Sequence, residues 1–192
     1  MDHLQALDSY RQGSDLVISQ EVFTPLSLED WALELSHHPN REFAKFILGG
    51  IANGFRIGFD SSQPLQRAVA NLQCTKPQLI TEYLGRETAL NRMWKCPTGY
   101  VPRGVHISPL GLIPKKNKPG KWRMIMDLSA PQGMSINDGI DSELSSLSYS
   151  SIDQLAALVI SEGKGSWLVK ADIKEAYRMV PVHPEDQHLL GV

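Results

Sequence analysis

Cysteine is scarce in this sequence. The two present, Cys74 and Cys96, are too few for a disulfide framework and lack metal-ligand spacing. Reduced thiols in an intracellular setting, cytoplasmic or nuclear, are therefore expected, with no chemical role for either. Long apolar runs are also missing: nothing approaches the roughly 20 residues of a membrane span, and residues 1–13 are too polar for the core of a signal peptide. No membrane partner is expected. Neither charge is in marked excess, since 19 Lys and Arg stand against 21 Asp and Glu, and repeats and low-complexity tracts are lacking. What remains is a chain of 192 residues, 42% apolar, which is enough for a packed core in one or at most two domains and makes disorder a poor default.

The near-neutral average conceals a local imbalance. From Arg92 to Met126 the chain carries Arg92, Lys95, Arg103, Lys115, Lys116, Lys118, Lys121 and Arg123 with no Asp or Glu. Such a segment suits a polyanionic partner even where net charge does not.

The periodicity divides the chain near residues 97–102, where Cys-Pro-Thr-Gly-Tyr-Val-Pro breaks any helix, giving a helical region 1–96 and a strand-rich region 97–192. In the first region, Ser27 and Asp30 stand in capping-box spacing ahead of Trp31, Leu33 and Leu35. A second helix is predicted after Asn40, with Phe43, Phe46, Ile47 and Ile51 on one face until Gly54. A third, the longest, is predicted from Pro77 to about Lys95, carrying Ile80, Tyr83, Leu84, Leu90 and Met93. In the second region, 105–114 and 122–128 read as strands joined by Lys118-Pro119-Gly120-Lys121, the residue order of a type II turn. Ser150 and Asp153 open a helix that ends near Gly163, residues 167–171 read as a buried strand delivering Asp172, 173–179 as a short helix or turn, and 180–182 as extended. The fold class expected is α+β.

Two groups of residues carry candidate chemistry. At the hairpin tip, Lys115, Lys116, Lys118 and Lys121 offer mobile point charges and Arg123 a planar fork, a combination suited to polyphosphate. The same lysines would equally keep an ordinary edge hairpin solvated. Beyond the predicted strand, Asp172 is a rigidly held carboxylate of the kind two-metal phosphoryl transfer uses, or else the N-cap of 173–179. Tyr177 stands close behind, as a substrate contact or as an aromatic packed on Ala176 and Val180.

Ser108-Pro109-Leu110-Gly111-Leu112-Ile113-Pro114-Lys115-Lys116, followed by Lys121-Trp122-Arg123-Met124-Ile125-Met126-Asp127-Leu128, resembles the fingers hairpin of reverse transcriptases. Trp167 to Tyr177, with the trailing Val180-Pro181-Val182-His183-Pro184-Glu185-Asp186, resembles the first palm motif of the same family. Upstream, Phe46-Ile47-Leu48-Gly49-Gly50-Ile51 and Gly54-Phe55-Arg56-Ile57-Gly58-Phe59-Asp60 are similar to the segment preceding the polymerase in DIRS-like retroelements. The resemblance implies a partial fingers and palm with a truncated palm sheet. It implies RNA-directed DNA polymerisation as the parent activity, with deoxynucleoside triphosphates (dNTPs), an RNA/DNA primer-template and the remainder of the polymerase as partners, and Mg²⁺ as cofactor. It also implies that Lys116, Lys121 and Arg123 contact the triphosphate and that Asp172 binds both metals. The backbone carbonyl of Ile173 would complete one metal site, and Tyr177 would exclude a ribose 2′-hydroxyl.

The sequence departs from that family in holding no Tyr-x-Asp-Asp motif, no second palm motif and no thumb among its 192 residues, so the chain alone is expected to be catalytically incomplete. Ser129 replaces an Arg that many relatives carry, which puts a template contact there in doubt. The alternative reading is a non-catalytic nucleic-acid-binding module co-opted from a retroelement. A third is a chain that does not fold stably, because an incomplete sheet exposes an apolar edge.

Overall fold

The computed structural model describes residues 22–65, 76–96, 104–116 and 118–192; the predicted break at 97–102, Arg103 and Cys74 lie outside them. Helix α1 (Leu28–Glu34) begins where Ser27 accepts a hydrogen bond from the Asp30 amide at 3.1 Å and runs into a 3₁₀ turn, Leu35–His37. Asn40 caps helix α2 (Arg41–Asn53) by accepting from the Phe43 amide at 3.0 Å, and Gly54 ends it at φ 83°. The buried residues of α2 are Ala44, Gly50 and Ile51, whereas Phe43 and Phe46 of the predicted apolar face are exposed. The face turns because Phe55 folds back onto Gly50, at a point where any Cβ would collide with its ring.

Helix α3 (Pro77–Ala89) starts on Pro77 as expected but stops about six residues short of Lys95. Its end is fixed by Asn91, whose φ of 54° is left-handed and incompatible with continued helix.

Strands β1 (Leu110–Pro114) and β2 (Trp122–Met126) form an antiparallel hairpin, with Leu110 opposite Met126 and Pro114 opposite Trp122. The turn takes the expected form: the Lys121 amide donates to the Lys118 carbonyl at 3.0 Å, and Gly120 has φ 75°. Residues 105–109 do not extend β1. They run beside the end of the chain, where His106 and Ser108 amides donate to the His188 and Gly191 carbonyls and Ile107 bridges Gly191.

After the hairpin the chain turns back on itself, the Asn137 amide donating to the Leu128 carbonyl at 2.9 Å. Ile136 is completely buried, a 3₁₀ turn spans Asn137–Gly139, and α4 (Ser142–Ser145) is one short turn. Helix α5 (Ile152–Glu162) carries a full capping box between Ser151 and Gln154, one residue later than the predicted Ser150 and Asp153, and buries none of its residues. Residues 167–171 correct the expectation of a buried strand: no ladder includes them, and Trp167 is 95% and Val169 92% exposed. A strand needs neighbours to take up its backbone donors and acceptors, and among the described residues none pairs with this one. The described sheet is therefore the two-stranded hairpin alone, which together with the helices gives an α+β chain. The buried apolar side chains Ala44, Ile51, Leu110, Ile136 and Leu189 come from both halves of the sequence.

Connections between the halves are specific. Phe55 pairs with the 181–183 segment, its amide donating to the Pro181 carbonyl and its carbonyl accepting from the His183 amide, and Phe59 bridges Ile140. Arg56 grips Asp186 through Nε and Nη2, each at 2.9 Å, and reaches Glu185 at 2.7 Å through Nη1. The Ile57 amide adds a bond to Asp186 at 2.8 Å, so this buried carboxylate is held by three donors.

Candidate functional site

The hairpin tip presents its charges as the sequence suggested. Lys115, Lys116, Lys118, Lys121 and Arg123 are all exposed, and Arg123 stands opposite Ile113 in the register. Backbone bonds from the Lys115 amide to the Lys121 carbonyl and from the Lys118 amide to the Lys115 carbonyl fix the loop that bears them. Among the described residues no hydrogen bond or ion pair engages the side chains of these lysines or Arg123, so the charges are free to meet a ligand. Beside the turn end of the hairpin, where Trp122 pairs with Pro114, Lys76 lies 5.3 Å above the Trp122 ring, bringing the start of α3 against β2. Ser129 is engaged locally: its hydroxyl accepts from the Asn137 side chain at 2.8 Å.

Asp172, Ile173 and Tyr177 are exposed on a segment without regular structure until the 3₁₀ turn Ala176–Arg178. The residue capping that turn is Glu175, not Asp172, so the N-cap alternative for Asp172 does not hold. Tyr177 is 97% exposed, which also removes the alternative of a packed aromatic. No bond or ring contact among the described residues joins residues 172–177 to the hairpin tip.

A Mg²⁺ ion prefers an octahedral shell of oxygens. Asp172 and the Ile173 carbonyl would supply part of such a shell, and among the described residues no three His, Cys, Asp or Glu side chains gather to complete one.

Sequence reasoning missed a charged cluster behind Tyr177. Glu87, 1% exposed near the end of α3, lies 2.8 Å from Arg178 and 3.6 Å from each of Arg86 and Arg92. Neither of its oxygens has a well-formed hydrogen bond, so attraction between opposite charges holds the group. Arg92 also binds Glu175 at 2.7 Å; that bond holds the Glu175 carboxyl below the usual range and raises the Arg92 guanidinium. Arg86 and Arg178 both pack on the Tyr83 ring, 4.6 and 4.8 Å from its centre. A Glu preceded by Arg at the end of a helix gives no sequence signal for partners more than eighty residues away.

Cys96 is half-buried, and burial pushes its thiol up, away from the reactive range. No helix among the described residues is long and apolar enough to cross a membrane. Compared with family models, with characterised proteins and with solved structures, the chain shows no significant match to any.

Proposed function

We propose that this chain is the fingers and beginning of the palm of a retroelement reverse transcriptase of the DIRS-like subgroup, which contacts primer-template and incoming deoxynucleotide but does not complete the chemistry alone. The observation that carries the reading is the basic hairpin. The segment whose wording resembles the fingers hairpin is an antiparallel hairpin with a Pro-Gly turn, and it carries Lys116, Lys121 and Arg123 exposed at or near its tip. Ammonium and guanidinium groups so arranged complement a triphosphate or nucleic-acid phosphates.

In this reading the parent reaction is attack of a primer 3′-hydroxyl on the α-phosphate of a deoxynucleotide, which forms the phosphodiester, breaks the α–β phosphoanhydride bond and releases pyrophosphate; Mg²⁺, held in part by Asp172 and the Ile173 carbonyl, would supply stabilisation of the developing charge. Lys116 and Arg123 neutralise and orient the triphosphate, Lys121 adds positive charge beside it, and Tyr177 crowds the sugar. Asp172 contributes one carboxylate, and the further acids that the reaction needs are not among these residues.

Binding of a labelled RNA/DNA primer-template at low and moderate salt tests the reading. The expected result is binding that weakens steeply with salt and falls about tenfold or more in a Lys116→Ala, Arg123→Ala double variant. Absence of binding by the wild type at low salt would overturn it. Salt-sensitive binding indifferent to added dNTP would instead favour the non-catalytic binding module. Primer extension is expected to be undetectable with the purified 192-residue chain, and nucleotide incorporation would refute the claim of incompleteness.

A further inference from the structure

The short turn that carries Tyr177 has almost no packing of its own. Tyr177 is 97% and Ile173 67% exposed, and Glu175 takes a left-handed conformation, φ 55°, that a side chain with a Cβ adopts only when something holds it there. What holds it comes from the other half of the sequence. Two residues before Tyr177, Glu175 is bound by Arg92 at 2.7 Å; one residue after it, Arg178 is held by Glu87 at 2.8 Å. Both anchors belong to the end of α3 and the residues just beyond, and Arg92 also lies 3.6 Å from Glu87, so the two ties share one charged centre. Tyr83 of the same helix supports the Arg178 guanidinium from its ring face.

We infer that the Glu87, Arg92, Glu175 and Arg178 network is a positioning device that sets the 175–178 turn and with it the direction in which Tyr177 is presented. The inference rests on the proposed function for what Tyr177 then does, namely discriminate the sugar of an incoming nucleotide, but the positioning itself is independent of it. Glu87 is the centre of the device. Its carboxylate is buried and approached by three guanidinium groups, so its charge is what orients Arg92 and Arg178 toward the turn. A buried carboxylate without well-formed hydrogen bonds is a costly arrangement, and a chain that needed only bulk at this place would be served by a glutamine or methionine. None of the four residues is placed at a reacting atom, so all act through Tyr177.

Hydrogen exchange on the full 192-residue chain tests the positioning. The Arg178 and Met179 amides donate to the Glu175 and Ala176 carbonyls and therefore report whether the turn is closed. In Glu87→Gln, which keeps the shape and removes the charge, these two amides are expected to exchange about tenfold faster, while the β1–β2 ladder amides keep their rates. Glu175→Gln, a change at a more exposed position that leaves Glu87 with its three arginines, is the second variant and is expected to produce the same local effect in a chain that still folds. Unchanged exchange at Arg178 and Met179 in Glu175→Gln, or acceleration spread equally over the hairpin, would overturn the inference.

The readout that mere support would not move is sugar selectivity. Tightening of the primer-template complex by a deoxynucleoside triphosphate over its ribonucleotide counterpart is expected to diminish in Glu175→Gln as it does in Tyr177→Ala. Local loosening with selectivity intact would refute the link to Tyr177. Loss of primer-template binding by the wild type would count against the proposed function alone, and the exchange rates would still decide the positioning.

Discussion

At the scale of single residues, the sites that matter most are those where two stretches of backbone come too close for a side chain. Gly54 ends α2 at φ 83°, and a Cβ there would run into the backbone of His183, which cannot rotate away as a side-chain tip can. Gly54→Ala is therefore expected to cost about 2 kcal/mol or more, combining a left-handed penalty with forced separation of two paired segments. A urea midpoint unchanged from wild type would show that the close approach is not obligatory. Gly120 is the instructive contrast, since its φ is similarly positive but nothing lies within reach of an added Cβ. Gly120→Ala should cost only about 1 kcal/mol, the conformational part by itself.

Asp186 carries a pH dependence whose sign follows from its surroundings. Burial, the largest single influence, pushes its carboxyl up, but the Arg56 hydrogen bond, the Ile57 amide and the charges of Arg56 and His183 together bring it below the ordinary carboxylate range. A depressed carboxyl means that the unfolded chain takes up the proton first, so this contribution is fully present above the ordinary Asp range and disappears as pH falls through the folded-state value. Asp186→Asn should therefore destabilise the chain at neutral pH by about 1 kcal/mol, a modest figure because Arg56 is more than half exposed and screened by solvent. The difference between variant and wild type should narrow below about pH 4. Denaturant melts at pH 7 and pH 3 check both parts, and a gap that widens in acid would contradict the assignment.

At the scale of elements, legibility depended on whether the determinants are local. Asn40 and Ser151 cap helices through bonds that span three residues, and Pro119-Gly120 encodes its turn within four, so α2 and the hairpin are legible directly and the start of α5 to within one residue, Ser150 being the expected cap and Ser151 the actual one. Residues 167–171 have the composition of a strand, yet a strand is a relation between segments, and that relation is not written in five residues. The candidate site divides the same way. The lysine tip was visible from its turn, whereas the hold of Glu87 on Arg178 is a long-range pairing with no local pattern. Helix α5 shows what local determinants alone provide, because it buries no residue and leans on its capping box. Ser151→Ala is expected to remove about 1 kcal/mol of local helix stability, seen as faster exchange of the α5 amides with little change in the global melting midpoint. A shift of the global midpoint instead would mean that α5 is coupled to the core more tightly than its exposure indicates.

At the scale of the whole molecule, the division at residues 97–102 that composition suggests is crossed repeatedly by structure. Thr24 donates to the Met179 carbonyl at 2.7 Å, Phe55 and Phe59 pair with segments past residue 138, Arg56 neutralises Asp186, and Glu87 holds Arg178. Among the described residues five apolar side chains are buried, Ala44 and Ile51 from before the break and Leu110, Ile136 and Leu189 from after it. Removing the first 96 residues would thus leave Asp186 without its guanidinium, Arg178 without its carboxylate and Val182 without its bridge partner, while the hairpin, α5 and the bonds from residues 106–108 to 188–191 would keep their partners. Unsatisfied backbone and charged groups at these points, together with loss of Ala44 and Ile51 from the buried set, outweigh what a hairpin, an unburied α5 and the side chains of Leu110, Ile136 and Leu189 can supply. A polypeptide covering 97–192 is therefore expected to show no cooperative thermal transition, while the 192-residue chain shows one; calorimetry of the two decides the matter. A cooperative melt of the shorter piece would mean that the crossing contacts decorate a unit already stable, and the upstream helices would then be an appendage instead of a structural part of the surface that presents Tyr177.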